Sequence, residues 1–274
     1  MGRYPLDLRG VFAKLDRAAS HIAGLDKEVA EFRAAHPITA FAEYEGGRTF
    51  LVRVRVAEMP DLRWGVRLGD AIHNVRCALD HAVWELVQRN VRAGFKSQPT
   101  EAQQRRIAYP IAYKRKDFYN SEAVRFLTTR QVAFVRRFQP YLRPRPEATP
   151  FGELGWLSNT DKHRIVHSTH VALESWDDFR LHCESNLAAG RIMASEALIG
   201  PGDRLTDGTA IVRLTFEAPA DVRAATGQEP YVEVHGEFRS EIRFGEGRPI
   251  PSSQLSRLHD VILTRMKTLE IRLG

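Results

Sequence analysis

Apolar residues repeat at heptad spacing near the start of the chain. Such a seam predicts a long helix over residues 6–35 whose apolar side packs along a partner helix. The helix should end at His36-Pro37, because the residue before a proline disfavours helical backbone angles. The seam consists of two series with steps of seven: Leu8, Leu15, Ile22 and Val29, and Val11, Ala18, Leu25 and Phe32.

The next pattern changes to alternation and predicts a β-hairpin over residues 38–57. Gly46-Gly47 is a two-residue turn signal between the two strands. In the second strand, Phe50, Val52 and Val54 share one face, while the other face is mostly polar. We therefore expect one buried and one solvent-facing side.

Helical patterns return in four further segments. Asp61 is a plausible N-cap for a helix over 61–90, which is long enough to pair antiparallel with the first helix. Helices are also predicted over 121–138 and 151–164, with loops at 91–112 and 140–150. A final helix is indicated by apolar steps of three and four: Leu255, Leu258, Ile262, Met266 and Leu269.

The second half of the chain is rich in strand signals. Alternation predicts an antiparallel sheet from strands at 170–174, 179–183, 210–216, 231–238 and 241–244. Helices followed by strands favour an α+β fold. The predicted architecture is a long-helix bundle with a β-hairpin insertion, packed with this C-terminal-half sheet and a final helix. We expect one α+β unit over 1–274, made of a helical part (1–167), a strand-rich part (168–250) and a C-terminal helix (251–274).

Composition narrows the function classes. The 274 residues carry a net charge of +6 with a pI near 9.5, which permits RNA or a phosphorylated ligand as partner. Cys77 and Cys183 form no C-x-x-C motif, which argues against a zinc ribbon or a thioredoxin-type site. No apolar run approaches the roughly 20 residues that span a bilayer, and the first residues lack the apolar core of a secretory signal. A cytoplasmic protein with no membrane partner is predicted.

The candidate chemistry lies on the second helix. One side of its helical wheel is apolar and predicts the core: Ile72, Val75, Leu79, Ala82, Val83 and Leu86. The opposite side is mixed and carries His73, Arg76, Cys77, Asp80 and Trp84, with His81 and Glu85 at its edge. Such a mixture suits a cleft or a homodimer interface. The alternative is an ordinary solvated face on which Arg76 and Asp80, four residues apart, form an ion pair.

Arg76 and His81 are separated by four residues, and this spacing resembles the R-x4-6-H motif of the HEPN superfamily. The resemblance implies a helical bundle, often dimeric, with metal-independent ribonuclease activity and no cofactor. It implies Arg76 as the charged partner of the scissile phosphate and His81 as general base or acid at the 2′-hydroxyl. A neutral imidazole can take that proton, and a guanidinium can stabilise the growing phosphoryl charge. His73 and Asp80 complete the candidate catalytic set.

A second polar cluster follows the helix predicted over 151–164. Together with the stretch from Gly69 to His81, its Asp161-Lys162-His163-Arg164 run resembles a family of uncharacterised bacterial proteins, which brings no known activity. The cluster predicts an anion-binding site across a cleft from Arg76 and His81, formed by Asn159, Asp161, Lys162, His163 and Arg164. Alternatively, its basic residues merely complement the dipole at a helix C-terminus.

Three functions stay open from the sequence. The first is a HEPN-like ribonuclease, or an RNA- or nucleotide-binding protein, using Arg76 and His81. The second is a non-enzymatic binding or assembly protein. The third is a metal-dependent enzyme in which His163 and His167, on one helix face, bind zinc or iron with ligands from the second helix.

Overall fold

The computed structural model describes residues 4–35, 38–163, 169–185, 191–217, 232–244 and 250–273. The fold is α+β, with helices and two antiparallel sheets. The chain divides into two compact units. The helical unit contains Met1–Asp26, Arg63–His167 and Ser253–Gly274, and the strand-rich unit contains Lys27–Leu62 and Ser168–Ser252.

Eight α-helices occur in the described residues: α1 (Arg9–Ala35), α2 (Arg63–Arg92), α3 (Glu101–Gln104), α4 (Arg115–Asn120), α5 (Glu122–Phe126), α6 (Thr129–Arg136), α7 (Pro150–His163) and α8 (Ser252–Leu273). Two short 3₁₀ turns lie at Pro140–Leu142 and Pro146–Ala148. None of the described helices is long and apolar enough to cross a membrane.

The helix predicted over 121–138 is divided into α5 and α6. Thr128 begins the second helix with a capping box: its hydroxyl accepts from the backbone N–H of Gln131, and the Gln131 side chain accepts from the backbone N–H of Thr128. This arrangement satisfies backbone groups that a helix start leaves unpaired, so it competes with continuation of one helix.

The predicted apolar faces are confirmed. All positions of the heptad seam in α1 are buried except Phe32, which is half-buried. The six predicted core residues of α2 and the five of α8 are buried as well. The seam of α1 has α8 as a neighbour, because Nε2 of His259 lies 3.0 Å from the carbonyl oxygen of Leu15.

The described part of the strand-rich unit contains eight strands: β1 (Thr39–Gly46), β2 (Thr49–Arg55), β3 (Thr169–Ser185), β4 (Ile192–Ala197), β5 (Arg204–Leu205), β6 (Ala210–Phe216), β7 (Val232–Phe244) and β8 (Ile250–Pro251). They form two antiparallel sheets with the orders β1-β2-β6-β4 and β5-β3-β7-β8. The predicted hairpin is present, and its second strand pairs with β6, with Phe50 opposite Leu214.

Two of the observed strands, β3 and β7, each join two strands that were predicted separately, and the cause is the same in both. The segments predicted as strands at 170–174 and 179–183 belong to the single strand β3, and those at 231–238 and 241–244 belong to β7. The pairing of β3 with β7 shifts register between Leu173 and Ser175 and again before Arg180. Such irregularities break the alternation of side chains without ending the strand.

Candidate functional site

Arg76 and Asp80 of α2 form a joint contact with the loop that precedes α4. Their side chains are an ion pair at 3.0 Å, and the exposed fractions are 15% and 30%. Asp80 accepts a hydrogen bond from the backbone N–H of Tyr109 at 2.8 Å, while Arg76 donates to the carbonyl oxygen of Tyr109, also at 2.8 Å. Both backbone polar groups of Tyr109 are therefore satisfied by α2.

The same loop is held by α7 on its other side. The buried ring of Tyr109 stacks on Phe151 with centroids 5.6 Å apart, and its burial raises the pKa of the Tyr109 phenol. The hydroxyl of Tyr113 donates to the carbonyl oxygen of Gly152 at 2.5 Å. A Cβ at Gly155 would approach Ile111 to 3.0 Å, so glycine permits this close packing. The loop segment around Tyr109 is thus fixed between α2 and α7.

The histidines of the predicted catalytic set have other neighbours. Nε2 of His73 lies 3.3 Å from Sγ of Cys77, one turn along α2. His81 is exposed and lies beside α1, where its Nδ1 is 3.8 Å from the position of a Cβ at Gly10. It lines a cleft of about 280 Å³ together with Asp7, Gly10, Val11, Trp84 and Glu85. The contacts of His81 are therefore different from those of Arg76 and Asp80, and His73 has its own partner.

The second predicted cluster is only partly described. Helix α7 extends to His163, as expected, and Asn159 is exposed on it. The side chains of Asp161, Lys162 and His163, and the whole of Arg164 and His167, lie outside the described residues. The predicted anion site at this cluster, and the metal site that would use its histidines, stay predictions. Within the described part of the chain, no group of three or more His, Cys, Asp or Glu residues could hold a metal ion.

A basic cleft that the sequence reasoning missed lies between α1 and the beginning of α2. It has a volume of about 540 Å³ and is lined by Arg17, Ser20, His21, Arg63, Val66, Arg67 and Asp70. Arg67 lies against α1, with Nη1 3.3 Å from the position of a Cβ at Gly24. The lining contains three arginines, one histidine and one aspartate, so its charged groups are mainly cationic.

The helix dipole adds to this positive charge. Arg63 is the first residue of α2, and the first turn of α2 contains no acidic residue. The N-terminus of a helix has a partial positive charge and normally favours acidic side chains. Arg63 and Arg67 oppose that preference, and this mismatch, visible in the sequence, is the signal that could have indicated the cleft.

The cleft around His81 has a different charge pattern. Its two carboxylates are paired with arginines: Asp7 with Arg9 at 2.7 Å and Glu85 with Arg92 at 3.4 Å. Hydrogen bonds from Arg9 lower the pKa of Asp7 to about 2, so this carboxylate is ionised at neutral pH. This cleft offers acceptors and an imidazole rather than a concentration of cations.

Comparison with protein-family models, curated proteins and solved structures finds no match to this chain.

Proposed function

We propose that this protein binds the phosphate groups of a nucleotide or an RNA in the basic cleft between α1 and α2, without turnover. The observation that carries the proposal is the convergence of Arg17, Arg63 and Arg67 at the N-terminus of α2. The volume of the cleft, about 540 Å³, suits such a ligand, because small-molecule sites commonly have volumes of about 300–1,000 Å³.

Phosphate is the anion that this set of groups suits best. A guanidinium presents a planar fork of donors that matches two phosphate oxygens, and arginine is the preferred residue for this recognition. The start of a helix adds backbone N–H groups and a favourable dipole for an anion. His21 supplies a further hydrogen-bonding group at the wall formed by α1, while the Ser20 hydroxyl donates to the carbonyl oxygen of Asp16.

The contacts of Arg76 favour binding over RNA cleavage. A HEPN-like ribonuclease would need the Arg76 guanidinium at the scissile phosphate and His81 at the adjacent 2′-hydroxyl. In this chain the guanidinium donates to Asp80 and to the carbonyl oxygen of Tyr109. Bringing it to a phosphate would leave those two acceptors without their partner, which is costly where they are shielded from water.

Fluorescence anisotropy with an end-labelled single-stranded RNA of about ten nucleotides tests the proposal. We expect binding that weakens with salt. Arg17→Ala and Arg67→Ala should each weaken it and reduce the slope of log Kd against log salt by about 0.7 per lost phosphate contact. Arg105→Ala is the matched control, because it removes the same charge at the C-cap of α3, outside the lining of the cleft.

Two results would overturn the proposal. Binding by Arg67→Ala and Arg17→Ala that equals the wild type, with thermal unfolding confirming that the variants are folded, would exclude the basic cleft. The recovered RNA should also be intact on a denaturing gel. Cleavage that survives EDTA and disappears in His81→Ala would instead support the HEPN-like ribonuclease.

A further inference from the structure

The basic cleft and the cleft around His81 both lie along the helix pair α1 and α2. Gly24 of α1 lies against Arg67, while Gly10 of α1 lies against His81. As the residue number falls along α1 it rises along α2, so the two helices are antiparallel. Residues 10–24 of α1 therefore lie opposite residues 67–81 of α2.

Both clefts open on the same side of this helix pair. On a helix, residues at steps of three, four or seven lie on one face. The α1 residues Gly10, Arg17, His21 and Gly24, which line or border the two clefts, follow these steps. In α2, Asp70 and His81 are eleven apart, a step of seven plus four, and Arg67 and Trp84 each lie three residues from one of them. The cleft of about 540 Å³ and the cleft of about 280 Å³ thus lie at two ends of one side of the helix pair, which we call the α1–α2 groove.

The two ends differ in what they can bind. The end with Arg17, Arg63 and Arg67 attracts phosphate. The other end combines Trp84, which is half-buried, with the carboxylates of Asp7 and Glu85. An indole can stack on a nucleobase, and carboxylates accept hydrogen bonds from the amino groups of bases.

The separation of the two ends sets a minimum ligand length. Arg67 and His81 are fourteen residues apart on one helix, which corresponds to about 21 Å at 1.5 Å per residue. Stacked nucleotides advance about 3.4 Å each along a strand, so about six of them cover this distance. A mononucleotide cannot occupy both ends.

We propose that the α1–α2 groove binds a single-stranded nucleic acid of about six nucleotides, with the backbone at the arginine end and a base against Trp84. This inference rests on the proposed function, because it extends phosphate binding in the basic cleft to the whole groove. The expected ligand is a single-stranded nucleic acid, and its affinity should depend on its length. A protein that binds only a mononucleotide would lack this dependence.

The test is a length series of oligoribonucleotides and oligodeoxyribonucleotides from one to about ten nucleotides. Affinity should rise until about six nucleotides and then reach a plateau. Trp84→Ala should weaken binding of the longest oligomer by about tenfold, the order expected for one lost base–aromatic stack, and leave mononucleotide binding unchanged. Trp84→Phe keeps an aromatic ring and should restore most of the affinity. Arg67→Ala should weaken binding at every length.

The outcomes separate this inference from the proposed function. Equal affinity for a mononucleotide and the longest oligomer, or an unchanged affinity in both Trp84 variants, overturns the groove while phosphate binding stands. Absence of binding to every oligomer overturns both. Length dependence in either arm, together with weaker binding of the longest oligomer by Trp84→Ala, supports the groove, and the arm with the higher affinity identifies the sugar.

Discussion

The carboxylate of Asp80 accepts a hydrogen bond from the backbone N–H of Tyr109 at 2.8 Å. Arg76 donates a hydrogen bond to the carbonyl oxygen of the same residue. The two side chains of α2 therefore take the place of the backbone hydrogen bonds that Tyr109 would make in a strand or a helix. Arg76 and Asp80 are thus more than a surface ion pair. They attach a loop without regular structure to the longest helix of the chain.

Removing this attachment should destabilise the fold. We expect Asp80→Ala to lower the free energy of unfolding by about 1–3 kcal/mol, since it leaves the Tyr109 N–H without its acceptor and removes the carboxylate partner of Arg76. Urea unfolding measures this. Glu101→Ala is the control: it breaks an ion pair of the same spacing with exposed fractions of 79% and 77%, and such pairs contribute about 0–1 kcal/mol. Equal effects of the two variants would contradict the structural role of Asp80.

His81 should be dispensable for stability. Its side chain is exposed, and exposed positions away from caps and networks usually change stability by less than about 0.5 kcal/mol. We therefore expect His81→Ala to unfold at the wild-type urea concentration. We also expect wild type and His81→Ala to leave RNA equally intact. RNA cleavage by the wild type alone would make His81 the functional centre of the chain.

Gly152 should not tolerate a side chain. A Cβ there would overlap the carbonyl oxygen of Pro146 and approach Oγ1 of Thr149 to 2.9 Å, so the start of α7 would have to move. Overpacking of this kind typically costs about 1–3 kcal/mol, and backbone is less able to yield than a flexible side chain. Thermal unfolding of Gly152→Ala should show a clear loss of stability. Gly10→Ala is the matched control, because the nearest atom to its Cβ would be 3.8 Å away. A Gly152→Ala variant as stable as Gly10→Ala would contradict the packing described.

Asp26 should make stability depend on pH. Burial raises the pKa of its carboxyl group, and the hydrogen bond from Ser256 only partly opposes this. A raised pKa means that the folded protein holds the proton more tightly than the unfolded chain. Stability from this group is therefore complete below the unfolded pKa and is lost as the pH rises through the folded pKa.

Asp26→Asn removes that ionisation. Relative to the wild type, the variant should gain stability as the pH rises from acidic to neutral, with the smallest difference at low pH. Urea unfolding across this pH range measures the difference. An Asn variant that is less stable than the wild type at neutral pH, or a difference that does not change with pH, would show that the Asp26 carboxylate is not penalised by burial.

The buried faces of the long helices were predictable from the spacing of apolar residues in the sequence. The heptad seam of α1, the core face of α2 and the apolar steps of α8 are properties of neighbouring residues, and all their positions except Phe32 are buried as predicted. The turn at Gly46-Gly47 was readable for the same reason, since both glycines have positive φ angles, 131° and 58°, in a hairpin. The irregular strand β3 was harder, because its register shifts interrupt the alternation on which strand prediction depends.

Local propensity and periodicity were enough to predict the α+β class, the extent of the long helices and which face of α2 is apolar. The partners of the polar residues depend instead on how the folded chain brings distant segments together. Asp80 meets Tyr109 across 29 residues, and Arg17 joins Arg63 and Arg67 from another helix. A polar side chain on a helix has the same sequence signature whether it faces water, a loop or a cleft. Its role therefore depends on which distant segment folding brings opposite it.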